Sequence, residues 1–256
     1  KKGLVTLKTL FIDGTKIEAN ANRYTFVWRG TVNYHLAGLL DTIDKLYLRY
    51  NQFLKSQNYH KDYNLPLETM FVVEGIDKVK DIIARNRKRK SLNLEKISNN
   101  SIIEIGNIRP LKLIELQANL SRIADAEKII FVHGKRNKKS ELQKLYEAIE
   151  EASTRLLKYK EHFKLMGTDR NSYSKTDIEA TFMRMKDDHM QNGQLKPAYN
   201  VQIAVENYFI IHTYISNDRT DYNTLIPVLE KHKKYLKKFP QEVTADSGYS
   251  SEANLV

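Results

Sequence analysis

The chain has 256 residues, with 42 Lys or Arg against 31 Asp or Glu and a formal net charge of +11. This excess favours a polyanionic partner, nucleic acid ahead of an anionic membrane surface, although a basic protein without such a partner is the alternative. The sequence has no cysteine, which excludes disulfides, thiolate catalysis and zinc–thiolate sites. No apolar run approaches the roughly 20 residues of a membrane span. We find no signal peptide and expect both ends to continue in a longer protein.

The first segment, LVTLKTLFIDGTKIEANA, alternates and is rich in Val, Ile, Leu and Thr. The pattern predicts a strand from about Val5 to Ile12 and a second extended piece from Lys16 to Ala19. Asp13-Gly14 lies between them and is a common turn sequence, so a hairpin turn is the simpler interpretation. The alternative is that the Asp13 carboxylate, at the end of an apolar strand, is a ligand for a positive group.

From about Thr31 to Met166 apolar residues recur every three or four positions, which is typical of helices. The segment ELQKLYEAIEEASTRLLKYKEHFKLM has an a/d seam that should pair with another helix. Shorter helices are predicted near Leu67 to Ala84 and Leu111 to Ala126. We therefore predict a helical bundle or coiled-coil hairpin with basic loops. The first apolar stripe of this region comprises Leu36, Leu39, Ile43, Tyr47, Tyr50 and Leu54.

Strand character returns at AYNVQIAVENYFIIHTYISND, where two apolar runs flank Glu206-Asn207 and predict a hairpin. A helix should follow, with Asp218 or Thr220 as its N-cap and Pro240 as its stop. A short strand from Glu242 to Ala245 then leads into Asp246 and a Ser-Gly turn.

Outside the helical middle, the predicted order is strand, strand, strand, helix, strand. Asp13 follows the first strand and Asp246 follows the last. If these two strands are neighbours in one sheet, the two carboxylates meet. Such carboxylates repel each other unless a cation lies between them, and their oxygens are ligands that Mg²⁺ prefers. The sequence therefore predicts a metal site formed by Asp13 and Asp246.

Three segments carry a resemblance to a known family: LFIDGTKIEANANRYTFVWRG, RNSYSKTDIEATFMRMKDDHMQNGQLKPAYNVQIAVENYFI and VTADSGYSSEANL. In combination they resemble the DDE transposases of bacterial insertion sequences, in the group with a helical insertion before the hairpin. The resemblance covers nearly the whole chain. It implies an α/β fold, with a ribonuclease H-like mixed sheet interrupted after the first strand by a largely helical insertion. It places parts of the catalytic core at 1–30 and 171–256 and the insertion at 31–170.

The resemblance implies an enzyme that cleaves DNA strands and transfers them at insertion-sequence ends. The first two catalytic, metal-binding aspartates of the family fall on Asp13 and Asp246. Two Mg²⁺ or Mn²⁺ ions are expected in the complete protein, where they stabilise attacking and leaving oxygens. The third family acid is a Glu further downstream, and Glu252 is too close to Asp246 to be that residue. We therefore expect the 256 residues to hold two of three ligands and to be inactive alone.

The partners implied by the resemblance are DNA molecules, both the transposon ends and the target. It leaves a homodimer open, implies no membrane, and implies a bacterial cytoplasmic location associated with the nucleoid. A non-catalytic DNA-binding or assembly protein of the same fold is the alternative function. A different metal-dependent nuclease of that fold is a third hypothesis, because fold analogy cannot separate them.

Basic side chains are the first candidates for contacts with DNA phosphates. The runs ARNRKRK and GKRNKK could also be ordinary solvated loops. For the basic residues near the hairpin, the alternative is ion pairing with Asp187 and Asp188. The DNA-contact candidates are Lys16, Arg85, Arg87, Lys88, Arg89, Lys135, Arg136, Arg184, Lys186, Lys196 and Tyr249.

Aromatic and histidine side chains give weaker signals. Tyr24 and Trp28 could stack on an unpaired base, but packing in the core or anchoring of the insertion is the favoured interpretation. The seven histidines show no metal-ligand spacing, and His212 in its apolar run is interpreted as a core residue. Tyr249 is placed near the predicted metal site because it closely follows Asp246.

Overall fold

The computed structural model describes residues 4–22, 24–68, 110–134, 136–167, 170–185 and 193–255. In this part of the chain the fold is mixed α/β. The chain divides into two compact units, of which the first comprises Lys1–Trp28 with Leu165–Val256 and the second Arg29–Lys164. Each unit has a core of buried apolar side chains. None of the described helices has the length and apolar character needed to cross a membrane.

The strands are β1 (Thr9–Glu18), β2 (Phe26–Trp28), β3 (Ser172–Ser174), β4 (Thr181–Arg184), β5 (Leu195–Glu206), β6 (Phe209–Ser216) and β7 (Glu242–Ala245). The α-helices are α1 (Arg29–Ser56), α2 (Tyr59–Asp62), α3 (Pro110–Ala126), α4 (Glu141–Met166), α5 (Leu225–Leu236) and α6 (Glu252–Leu255). Short 3₁₀ turns precede α5 at Asp221–Asn223 and follow β7 at Ser247–Tyr249.

The first unit contains a five-stranded mixed sheet in the order β4-β5-β1-β7, with β6 also paired to β5. β1 is antiparallel to β5 and parallel to β7. A parallel pair requires a crossover connection, and α5 lies in the segment that returns the chain from β6 to β7. Its Val228 packs with Leu10 and Ile12 of β1 and with Ala204 of β5. This core places the end of β7 beside the middle of β1.

The predicted hairpin is confirmed as β5 and β6, which pair antiparallel from Asn200 to Glu206. Its turn residues Asn207 and Tyr208 have φ of 49° and 67°. Positive φ at both central residues is characteristic of the type I′ turn, whose twist suits two antiparallel strands. The predicted strand from Glu242 to Ala245 is confirmed as β7.

The predicted turn at Asp13-Gly14 is wrong. β1 continues through both residues to Glu18, and β5 pairs with each of its positions from Phe11 onward. A continuous ladder partner satisfies the backbone N–H and C=O groups of this segment, which outweighs the local turn preference of an Asp-Gly pair. The predicted helix N-caps are also wrong, because α5 begins at Leu225, after the 3₁₀ turn.

The second unit is helical in its described part, and its apolar stripes form one core. All six residues of the predicted stripe in α1 are buried there. From α4 the core takes Leu142, Leu145 and Ile149, and from α3 it takes Leu116 and Leu120. The predicted helices from Leu111 to Ala126 and over the a/d seam are confirmed. The helix predicted from Leu67 to Ala84 lies outside the described residues, except at its first two positions, which are not helical.

β2 and β3 form a separate two-stranded sheet in the first unit. Trp28 packs against Phe26 and Phe182, with a ring-centroid distance of 5.5 Å in both cases. The packing interpretation of Trp28 is therefore confirmed. Tyr24 is 79% exposed, so core packing is wrong for that residue.

Candidate functional site

Asp13 and Asp246 lie side by side at the β1–β7 pairing. The parallel register aligns Ile12 with Ala245, and one residue further come Asp13, still in β1, and Asp246, in extended conformation with φ of -75° and ψ of 174°. Neighbouring strands are about 4.8 Å apart, so the two backbones are close at this point. Both side chains are exposed and line the same cavity. The structure thus brings the two predicted aspartates together on one face of the sheet.

The cavity has a volume of about 580 Å³ and lies within the first unit. Because side chains alternate along a strand, Phe11, Asp13 and Thr15 share this face of β1. Ile203 and Val205 of β5 lie opposite them in the ladder and also line the cavity. The two carboxylates therefore adjoin a largely apolar wall.

Each of these carboxylates accepts one hydrogen bond from a neighbouring glycine. Gly14 N–H donates to Asp13 Oδ1 at 2.8 Å, and Gly248 N–H donates to Asp246 Oδ1 at 2.9 Å. Within the described residues, Oδ2 of each carboxylate accepts no further hydrogen bond, and neither carboxylate is ion-paired with Lys or Arg. Two like charges thus lie together with one oxygen of each left for a ligand.

A buried polar network adjoins this pair on the other face of the sheet. Gln202 Nε2 donates to Asp221 Oδ1 at 2.8 Å and to Asn200 Oδ1 at 2.9 Å, and Asn200 Nδ2 donates to Asp221 Oδ1 at 2.7 Å. The Tyr249 hydroxyl donates to Gln202 Oε1. Burial raises the pKa of the Tyr249 hydroxyl, and the negative charges of Asp221, Asp13 and Asp246 raise this pKa further. The hydroxyl therefore stays protonated and can donate.

Two glycines permit the close approach of these side chains. A Cβ on Gly14 would lie 2.7 Å from Gln202 Nε2 and 2.8 Å from Asp221 Oδ1. A Cβ on Gly248 would lie 2.9 Å from Asp246 Oδ1 and 3.6 Å from Asp221 Oδ2. Asp221 therefore reaches from one glycine to the other and lies near Asp246.

The oxygen ligands of this site suit a hard divalent cation, although the carboxylates are few. Over the described ranges, no group of three or more His, Asp or Glu is arranged to hold a metal ion. Asp13 and Asp246 offer a pair of carboxylates with unused oxygens in one cavity, and Asp221 adds negative charge near Asp246. Carboxylate oxygens of this kind suit Mg²⁺ and Mn²⁺. The residues present are thus compatible with the ions expected from the sequence.

The basic candidates near the hairpin are partly engaged with other groups. Lys16 Nζ donates to the backbone oxygen of Arg184 at 3.2 Å, and the Arg184 side chain is exposed. Lys196 Nζ is 2.7 Å from Glu18 Oε2. Lys196 is therefore ion-paired, as the alternative to DNA contact predicted, but its partner is Glu18, whereas the predicted partners were Asp187 and Asp188. β4 and β5 pair at Arg184, so these side chains occupy one edge region of the sheet.

The other DNA-contact candidates differ in what the structure says of them. Arg136 is exposed in the second unit. Tyr249 is only 3% exposed, and we assign it to the buried network instead of to DNA contact. Outside the described residues lie Arg85, Arg87, Lys88, Arg89, Lys135 and Lys186, together with Asp187 and Asp188.

His212 lies against His232 between β6 and α5. His212 Nε2 is 3.3 Å from His232 Nδ1, and the His232 side chain is fully buried. Burial is the main cause that lowers the pKa of both imidazoles, that of His212 to about 4. This packing agrees with the interpretation of His212 as a core residue.

Three residues of this network, Asn200, Gln202 and Asp221, were not predicted from the sequence as parts of the site. Asn200 and Gln202 carried a usable signal, since two amides at period two in an otherwise apolar strand must face the same side. A buried amide needs hydrogen-bond partners, so this face pointed to a polar network. Asp221 had no comparable signal, because an acidic residue in a loop is ordinary.

Comparisons of the chain with protein-family profiles, with curated proteins and with solved structures found no match. The function is therefore inferred from the residues of the site.

Proposed function

We propose that this chain is part of the catalytic domain of a DDE transposase and that Asp13 and Asp246 bind the divalent ions that promote phosphoryl transfer on DNA. The observation that carries this proposal is the position of the two aspartates, since Asp13 in β1 and Asp246 directly after the parallel neighbour β7 line one cavity. Their sequence context resembles the two aspartate motifs of that family. Their separation along the chain makes this juxtaposition a property of the fold.

The strand order gives further support to a ribonuclease H-like fold. The first long strand lies between the returning hairpin strand and the strand that follows the crossover helix, in the order β6-β5-β1-β7. The pairing is antiparallel except between β1 and β7. This is the arrangement expected if the helical segment is an insertion into such a sheet.

The proposed reaction is the in-line attack of water or a DNA 3′-hydroxyl on a phosphodiester, in which a new P–O bond forms as the bond to the leaving oxygen breaks. Bound divalent ions supply charge stabilisation for the attacking and leaving oxygens. The part of this chain is to hold those ions through Asp13 and Asp246. Lys16 and Arg184 offer positive charge to the DNA strand.

Metal binding by the chain itself is the first test. We expect Mn²⁺ to bind with an affinity measurable by electron paramagnetic resonance, and Mg²⁺ to displace it. Asp13→Asn and Asp246→Asn should each weaken Mn²⁺ binding by at least about 10-fold, because each removes a charged ligand. Glu230→Gln is the matched control, since it removes an exposed carboxylate of α5. Equal Mn²⁺ affinity in all four proteins would contradict the proposal.

Strand cleavage is the second test and uses the complete protein. Supercoiled plasmid carrying insertion-sequence ends should be nicked in Mg²⁺ and not in excess chelator. Asp13→Asn and Asp246→Asn should each abolish nicking, and Glu230→Gln should retain it. If both aspartate variants cut as fast as the parent protein, the carboxylates have no part in the reaction. Strand-transfer products would distinguish a transposase from another nuclease of the same fold.

A further inference from the structure

We infer that Gln202 is a positioning residue for the proposed metal site, an inference that rests on the proposed function. Gln202 is completely buried in β5, directly opposite Gly14 in the β1–β5 ladder. Its amide contacts the turn that follows Asp246 and the 3₁₀ turn that contains Asp221. One side chain thus joins three chain segments that are far apart in sequence.

The contact with Tyr249 controls the position of Asp246. Asp246 is the N-cap of the 3₁₀ turn Ser247–Tyr249, and the Tyr249 N–H donates to the Asp246 backbone oxygen at 3.2 Å. The Tyr249 ring is buried in the core of the first unit, and its hydroxyl donates to Gln202 Oε1. Because the turn is short and bonded at both ends, a displacement of Tyr249 displaces Asp246.

The contact with Asp221 fixes the orientation of the Gln202 amide. Nε2 donates to Asp221 Oδ1 and to Asn200 Oδ1, while Oε1 accepts from Tyr249. A flipped amide would place Oε1 against two acceptor oxygens, those of Asp221 and Asn200, and the two bonds that Nε2 donates would be lost. Every polar atom of the Gln202 side chain is therefore used, in one orientation only.

Gln202 acts on the site without touching a ligand. Asp13 faces the cavity, whereas the missing Cβ of its neighbour Gly14 would point at Gln202. The alternation of a strand puts these two directions on opposite faces of the sheet. Gln202 thus holds the Asp246 turn against β1 from the face opposite the cavity. A residue in this place sets the separation of Asp13 and Asp246, as outer partners do in other metal sites.

The test compares Mn²⁺ affinity in variants that lose parts of this contact. Tyr249→Phe removes only the hydroxyl, and Gln202→Met removes the amide at similar volume. Each should weaken Mn²⁺ binding by about 10-fold, the lower end of the effect seen for outer partners of metal ligands. Tyr199→Phe is the matched control. Tyr199 lies on β5, as Gln202 does, and its hydroxyl donates to Asp177, which is not part of this network. The control should bind Mn²⁺ as the wild type does.

Amide hydrogen exchange gives a second readout that needs no metal. The Gly248 N–H, which donates to Asp246 Oδ1, should exchange faster in Tyr249→Phe than in Tyr199→Phe.

A rescue experiment tests the arrangement of hydrogen-bond donors around Gln202. Gln202→Glu puts a second carboxylate against Asp221 and should weaken Mn²⁺ binding, and adding Asp221→Asn restores one donor to that contact and should recover most of the loss. A double variant no better than Gln202→Glu would overturn this arrangement.

The outcomes separate this inference from the proposed function. If the wild type binds Mn²⁺, Asp13→Asn does not, and Tyr249→Phe and Gln202→Met bind as the wild type does, the positioning role is wrong and the metal site stands. If the wild type binds no Mn²⁺, the proposed function fails and the inference fails with it. Circular dichroism checks that each variant is folded. If Gln202→Met does not fold, Tyr249→Phe alone decides the test.

Discussion

Gly14 faces Gln202 across the β1–β5 ladder so closely that a Cβ at position 14 would lie 2.7 Å from Gln202 Nε2. The same Cβ would lie 2.8 Å from Asp221 Oδ1. The glycine beside the first aspartate is therefore required by packing and not by a turn. The buried polar side chains that occupy the missing space connect β1 to the turn that carries Asp246.

Replacement of this glycine should destabilise the first unit. We expect Gly14→Ala to lower the free energy of unfolding by about 1–3 kcal/mol, the usual cost of overpacking a filled interior. Urea unfolding followed by circular dichroism measures this change. The matched control is Gly38→Ala in α1, where a Cβ would meet nothing within 4 Å. The control should gain up to about 1 kcal/mol from the higher helix propensity of Ala. A Gly14→Ala protein as stable as the wild type would contradict the packing argument.

Glu206 should make stability fall in acid. Its carboxylate accepts hydrogen bonds from the Thr6 hydroxyl and from the backbone N–H groups of Thr6, Leu7 and Lys8, and these bonds lower its pKa to about 2. The unfolded chain binds a proton near pH 4.5, whereas the folded chain does so only near pH 2. The stabilisation is therefore complete above pH 4.5 and is lost as the pH falls towards 2.

The measurement for Glu206 is the thermal midpoint as a function of pH. Glu206→Gln should melt at a lower temperature than the wild type at pH 7, and the difference should shrink between pH 4.5 and pH 2. Glu179→Gln, which removes an exposed carboxylate of the same unit, is the control and should change neither value. A constant difference between Glu206→Gln and the wild type across this range would refute the linkage.

The His212–His232 pair should act in a higher pH range. Burial is the main cause that lowers the pKa of His212, and with the charges of His232 and Lys231 acting in the same direction this pKa falls to about 4. The unfolded imidazole takes up its proton near pH 6.5, so the unfolded state binds more protons between pH 6.5 and about 4. Stability contributed by the neutral imidazole is full above pH 6.5 and falls with pH through this window.

Replacing His212 with Gln should flatten the dependence of the melting temperature on pH between 6.5 and 4, because one half-buried titrating ring is removed. His133→Gln is the comparison, since His133 is exposed in a loop of the second unit. It should leave the slope as in the wild type. A His212→Gln protein with an unchanged slope would show that this imidazole does not carry the acid sensitivity.

Binding of duplex DNA should depend on salt concentration, and Lys16 and Arg184 should contribute to that dependence. Lys16→Ala and Arg184→Ala should each weaken binding and reduce the slope of log affinity against log salt by about 1, the effect of losing one phosphate contact. Fluorescence anisotropy at several salt concentrations measures both quantities. Lys158→Ala, an exposed lysine of α4, is the charge-matched control. If all three variants lose the same small amount of affinity, the effect comes from the lower net charge of the protein and not from a specific phosphate contact.

Local patterns were sufficient to predict several elements. The stripe from Leu36 to Leu54 and the a/d seam that begins at Leu142 are regular over many turns, and a pattern of that length can bury its apolar face only as a helix. The strand from Glu242 to Ala245 and the hairpin around Asn207 also follow from local sequence. The prediction of a turn at Asp13-Gly14 failed because these two residues, although common in turns, lie in a segment of β1 that pairs with β5.

Local sequence alone therefore predicted helices α1, α3 and α4, the hairpin, and the choice of Asp13 and Asp246 as candidate metal ligands, since each depends on residues that are close in sequence. Only the tertiary structure decided that β7 lies parallel to β1 and brings Asp246 beside Asp13, that β1 continues through Asp13, and that Gln202 links the surrounding segments. Those features depend on strand pairing and side-chain contacts between distant positions. Such contacts form because the whole core packs in one way, and no local pattern encodes them.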